Sequence, residues 1–243
     1  MKAVRLHHIP KHVYIEKALA RQFDWEIVES GWIVKFSNIY LHLIFGWLPS
    51  LHLLKTRSEK MVFLYCYNQW SWLYSVLFPK SVLIVHNNIE LRSFSMLSRR
   101  FSGYYVFSDP MKEQLEAHGF KNVTVIDHPV PDEIIAKKPS NMCFCPNGAT
   151  LQEIELLENQ HGSFEKIYIK GNKIDHQRCI SYDFIDDYFE IISKSRLIFL
   201  KSEYSWRVSG IFYDCIACMD RVVVKNEGVF ARWFSKKHGV RVI

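Results

Sequence analysis

The sequence predicts an α/β protein built from two doubly wound parallel-sheet domains that face a central cleft. Three observations carry this expectation. Short apolar runs of strand length alternate with helical stretches, the order that parallel α/β layers require. Around residues 129–140 the phrase Pro-Val-Pro-Asp-Glu-Ile-Ile-Ala-Lys-Lys-Pro-Ser breaks every periodic pattern with prolines and charges, which marks a linker. After it the alternation restarts as a fresh set, so residues 1–133 and 140–243 read as separate Rossmann-like domains. The chain has 243 residues, 49% hydrophobic and 23% charged, enough apolar material for two small cores.

In the first half, strands are expected near Lys2–Leu6, Trp25–Val28, Met61–Tyr65, Val82–His86, Tyr104–Ser108 and Val123–Ile126, with helices between them. In the second half they are expected near Met142–Cys145, Lys166–Ile169, Arg196–Leu200, Arg221–Lys225 and Val240–Ile243. Helices there fall near Leu151–Gln160, Asp187–Lys194, Gly210–Met219 and Phe230–Lys237, the first capped by Thr150. In folds of this kind ligands bind outside the carboxyl ends of the strands.

Composition narrows the function. A net charge of +6 is mildly basic, and the cations are dispersed, which argues against nucleic acid and suits anionic substrates or an acidic membrane surface. Six cysteines are too few for a disulfide scaffold, and Cys215-x-x-Cys218 lies inside an expected helix, where packing explains it better than redox or zinc chemistry. Met1–His8 lacks the apolar run of a signal peptide, so a cytoplasmic protein is expected. Residues 39–54 are apolar but broken by histidines, Gly46 and Pro49, and read as a buried helix, with contact at the inner face of the membrane as the alternative.

The most informative stretch is Arg207–Val224. A Ser209-Gly210 pair opening a helix presents unpaired backbone N–H groups to one point, which suits a diphosphate, and Asp214 lies one turn further on the same face, at a reach suited to ribose hydroxyls. Two other strand ends offer polar groups: Asn147-Gly148 after the first strand of the second half, and Lys170-Gly171 after the next. Arg207, Glu203 and Tyr204 share the loop that leads to Ser209.

The phrase Asp214-Cys-Ile-Ala-Cys-Met-Asp-Arg-Val-Val-Val224 resembles the donor-binding helix of GT-B-fold glycosyltransferases, with Asp in place of the commoner Glu and Asp220-Arg221 in place of a Gly-x-Pro turn. Tyr104–Val130 resembles the closing strand-helix-strand of that family's N-terminal domain, and Ser81–Arg92 its strand ending in His at the cleft. The resemblance implies a metal-independent transferase that needs no cofactor beyond its co-substrate, a nucleotide-diphosphate sugar. It further implies a glycan or lipid-linked acceptor, in assembly of a bacterial surface polysaccharide. Donor contacts would come from Asn147, Gly148, Lys170, Gly171, Glu203, Tyr204, Arg207, Ser209, Gly210 and Asp214. His86 and Glu90 would be the catalytic residues, with His7, His8 and Arg92 on the acceptor side. His8 and His12 have helical ligand spacing, but nothing near them completes a metal set. The chain stops on an expected strand, without the helices that usually close a GT-B chain, so a compact member or a shortened one is expected. A sugar-nucleotide epimerase of the same fold and a non-catalytic binding subunit remain alternatives.

Overall fold

The computed structural model describes residues 2–5, 13–29, 61–64, 71–85, 99–130, 135–171, 173–183, 186–203 and 208–243. These form two compact units that part between Pro129 and Val130. No described helix is long and apolar enough to cross a membrane.

The first unit contains strands β1 (Lys2–Arg5), β2 (Glu26–Glu29), β3 (Met61–Leu64), β4 (Val82–Ile84), β5 (Gly103–Val106) and β6 (Val123–Val125), with helices α1 (Val13–Gln22), α2 (Ser71–Leu77) and α3 (Asp109–Ala117). The strands are parallel throughout, in the order β2-β1-β3-β4-β5-β6. Strands of a parallel sheet are covered on both faces, which is why they read as unbroken apolar runs. Met61, Val62, Phe63, Val82, Leu83 and Ile84 are accordingly buried. Ser108 starts α3 by accepting a hydrogen bond from the Met111 N–H, and Pro110 sits in the first turn, where its missing donor costs nothing.

The second unit runs β7 (Ser140–Cys145), α4 (Leu151–His161), β8 (Lys166–Lys170), β9 (Cys179–Tyr182), α5 (Tyr188–Lys194), β10 (Ser195–Leu200), α6 (Gly210–Asp214), a 3-10 helix (Ile216–Arg221), β11 (Val222–Val224), α7 (Gly228–His238) and β12 (Arg241–Val242). All its pairings are parallel, in the order β12-β11-β10-β7-β8-β9. Numbered within this sheet, the order is 3-2-1-4-5-6, that of a dinucleotide-binding Rossmann domain, with its switch point between β7 and β10. The chain reaches this unit ahead of β7. The guanidinium of Arg221 donates to the carbonyls of Ser193 (3.0 Å), Ser195 (3.4 Å) and Lys137 (2.9 Å), and the Lys137 N–H donates to Ser193.

Two elements differ from the sequence expectation. The helix expected over Gly210–Met219 stops at Asp214 and continues as a 3-10 segment with a break at Cys218. Tighter winding brings residues three apart onto one side, and Cys215 and Cys218 are both fully buried. Their thiols are pushed up by burial, as inert packing groups should be. Strand β9 was not expected at all. It is an edge strand, half-buried along its length, so it has no continuous apolar run to reveal it.

Helix α6 is too short to be stable by its own hydrogen bonds and is held by Phe212, whose ring packs edge-on against Phe230 (5.2 Å) and Phe234 (5.0 Å) of α7. Phe212 is completely buried. Phe212→Ala should therefore destabilise the protein by about 3–5 kcal/mol. Urea unfolding would measure this, and a loss near zero would mean that α6 is held by something else.

Candidate functional site

The order of the second sheet puts its crevice outside the carboxyl ends of β7 and β10, where the chain leaves in opposite directions. After β7 the chain turns at Gly148, whose φ of 82° is open to glycine but strained for other residues, and the Gly148 N–H returns to the Cys145 carbonyl at 3.1 Å. The side-chain carbonyl of Asn147 is buried in this turn with no hydrogen-bond partner among the described residues. Thr150 then caps α4 reciprocally: its hydroxyl accepts from the Glu153 N–H (3.2 Å), and its own N–H donates to the Glu153 carboxylate (2.7 Å).

Glu153 does more than close this box. Its carboxylate also accepts from Lys201, which directly follows β10 (3.2 Å), and from Lys225, which directly follows β11 (2.8 Å). Burial alone would raise its pKa. The bonds from Lys225, the Thr150 N–H and Lys201 outweigh that and hold it below the ordinary carboxylate value. Lys225 is raised in turn by Glu153 and Glu227, with which it also forms an ion pair. Lys225 is thus held by two carboxylates. Lys201 has three N–H donors and spends one on Glu153, so it can still bind an anion. The sequence reading missed this cluster, because each lysine looks like a solvated charge at a strand end.

Asp214 closes α6 and is only 8% exposed, so it is not the solvated acid of an ordinary amphipathic helix. The hydroxyl of Tyr188, the first residue of α5, donates to it at 3.0 Å. Tyr188 is itself fixed by an edge-on contact with Phe144 in β7. The Tyr188 hydroxyl thus orients the Asp214 carboxylate.

Ser209 occupies the N-cap position of α6, but its side chain makes no capping bond. A Cβ built on Gly210 would meet nothing within 4 Å, so open space lies against the backbone there. The five residues of α6 sum to only a small dipole, and charge for binding an anion has to come mainly from side chains such as Lys201. Lys170 and Gly171 are exposed at the end of β8, and Glu203 is exposed in the loop after β10. Tyr204, Arg207, His7, His8, His86, Glu90 and Arg92 lie outside the described residues. Among the described residues no group of acidic, His and Cys side chains could hold a metal ion.

Solved structures of glycosyltransferases share this architecture. The HepE protein of Anabaena, in complex with UDP, is 13% identical with a TM-score of 0.60, and the match covers 94% of this chain and 81% of that one. The chain has a GT-B-like fold. WaaG, a glycosyltransferase involved in lipopolysaccharide biosynthesis, is 8% identical with a TM-score of 0.58, over 100% of this chain and 85% of its own. A glycosyltransferase from Rickettsia africae ESF-5 is 14% identical at TM-score 0.53, over 93% and 79%. No family model matches the chain, and no curated protein does. At these identities the likeness is one of fold.

The Glu153 cluster generates a pH-dependent prediction. Because its folded pKa is depressed, Glu153 contributes stability that is fully present above its unfolded pKa and lost as pH falls through the folded one. Glu153→Gln should cost about 1–3 kcal/mol at neutral pH, the range for hydrogen bonds to charged groups and for a partner left unsatisfied. The difference from wild type should shrink in acid, below the usual carboxylate range. Unfolding curves at several pH values would test this, and a gap that does not change with pH would remove the ionised carboxylate from the explanation.

Proposed function

We propose that this protein is a glycosyltransferase that moves a sugar from a nucleotide-diphosphate donor to a glycan or lipid-linked acceptor in surface polysaccharide synthesis. The observation that carries the reading is the pairing of an oriented, nearly buried carboxylate, Asp214, with open space beside Gly210 on the same short helix. Asp214 suits ribose hydroxyls. Lys201, with Lys170 and Arg207 as further cations, suits the diphosphate, so the charge that a metal would otherwise neutralise is met by side chains and the enzyme works without a metal or other cofactor. The amide of Asn147 is a buried acceptor to which a donor group of the nucleotide can turn. Gly148, Gly171, Ser209, Glu203 and Tyr204 complete the donor side. The UDP bound to HepE and the lipopolysaccharide pathway of WaaG support a nucleotide donor and a role in surface polysaccharide synthesis, and the reading places the enzyme in the cytoplasm.

The acceptor side of the reading rests on the sequence. His86 acts as general base, taking the proton of the attacking hydroxyl, Glu90 is the second catalytic residue, and His7, His8 and Arg92 meet the acceptor.

A thermal-shift screen against UDP, GDP, dTDP and CMP is the direct experiment, since a ligand that binds only the folded state raises its stability. One nucleotide diphosphate should stabilise the protein, and a silent screen would favour a non-catalytic binding subunit. Asp214→Asn, which preserves shape and a partner for Tyr188, should weaken that nucleotide by about 1.5–3 kcal/mol. Unchanged affinity in a folded variant would exclude Asp214 from the ribose site.

Donor and acceptor roles separate in a second experiment. His86→Ala should lower turnover by about two to four orders of magnitude while nucleotide affinity stays near normal. Equal loss of both would make His86 structural, and full activity would exclude it as the base.

A further inference from the structure

The first unit holds a cavity of about 480 Å³ at the amino ends of β4, β5 and β6, the end opposite the one at which ligands of such sheets normally bind. Its floor is Gly103, the first residue of β5, where a Cβ would come within 3.2 Å of the Asn122 carbonyl oxygen. The rim is locked. The Ser102 hydroxyl donates to the Lys80 carbonyl (2.9 Å), the Ser102 N–H to the Ser81 carbonyl (2.9 Å), and the side-chain amide of Asn122 to the Ser102 carbonyl (2.9 Å). Three connecting segments are thereby clipped together at the edge of the sheet, so the cavity is preformed, as small-molecule sites usually are. Tyr105 supplies a half-buried wall and is held by Phe23 and Trp25, whose rings lie nearly parallel to it with centroids 6.1 Å away.

The charge around this cavity is mainly positive. Lys80 is exposed on the rim, and Arg99, Arg100 and Lys121 are exposed on the segments that lead into β5 and β6. Residues 78–85, 99–108 and 117–126 contain no Asp or Glu. The acids flanking these elements are Glu116, which faces Lys112 at 3.9 Å, and Asp24 and Glu26 on either side of Trp25. We propose that the cavity binds a sugar phosphate. Its volume exceeds what a bare ion needs and lies within the range of small-molecule sites. Tyr105 and Val82 give an apolar wall for a sugar ring, and the Ser102, Asn122 and Thr124 side chains offer hydrogen-bonding groups to its hydroxyls. Lys80 suits the phosphate as a point cation. The inference concerns only the first unit and holds or fails independently of sugar transfer.

The test is titration calorimetry of the full chain with glucose 6-phosphate, glucose and inorganic phosphate. Wild type should bind glucose 6-phosphate about tenfold or more tightly than either part, because each part alone forfeits the hydrogen bonds of the other. Lys80→Glu should weaken that binding about tenfold or more, through loss of a hydrogen bond to a charged group. Thr124→Phe should abolish it by filling the cavity. Both positions are exposed, and phenylalanine suits a strand, so circular-dichroism melting should stay unchanged in the two variants. Absence of binding by wild type at millimolar glucose 6-phosphate, or equal affinity for inorganic phosphate or glucose, would overturn the proposal. So would retained affinity in either variant.

Discussion

The carboxylate of Glu153 is the constraint on which the candidate site depends. At the switch point the chain leaves β7 and β10 in opposite directions, so the ladder of the sheet cannot fix the loops beyond its own edge. Glu153 ties three of them, bonding the Thr150 N–H at the start of α4, Lys201 after β10 and Lys225 after β11. A carboxylate this far from water is unfavourable alone, and pairing with one lysine would leave lone pairs unmet. With two ammoniums and a backbone donor its charge is favoured, as its depressed pKa records.

The two lysines differ in consequence. Lys225 sits between Glu153 and Glu227, so its charge is spent within the protein and it acts as a strut. Lys201 faces one carboxylate and is more loosely committed. An incoming anion at this edge would compete with Glu153 for Lys201 while Lys225 kept the framework closed.

Most of the fold was legible because parallel strands must be apolar on both faces, which makes runs such as Met61–Leu64, Arg196–Leu200 and Val222–Val224 visible without an alignment. Edge strand β9 was not, because half-burial permits a polar sequence. Of the candidate site, the Thr150 cap was legible from local spacing. The Glu153 cluster was not, since its lysines lie 48 and 72 residues away and only the sheet order brings them together. Nor did spacing reveal Tyr188, 26 residues before the acid it orients.

The break after Asp214 changes how that acid should be understood. In an uninterrupted helix Asp214 would project from the middle of a regular face, and its shorter side chain would place the carboxylate one methylene nearer the axis than a glutamate. Here the α-helix ends at Asp214, and the chain tightens so that Cys215 and Cys218 both reach the core. The burial of the two thiols thus determines where the helix ends, and the end of the helix determines where the acid sits. Tyr188 then fixes its orientation from α5. The position of this short acid at the helix end therefore comes from the packing below it and not from the length of its own side chain.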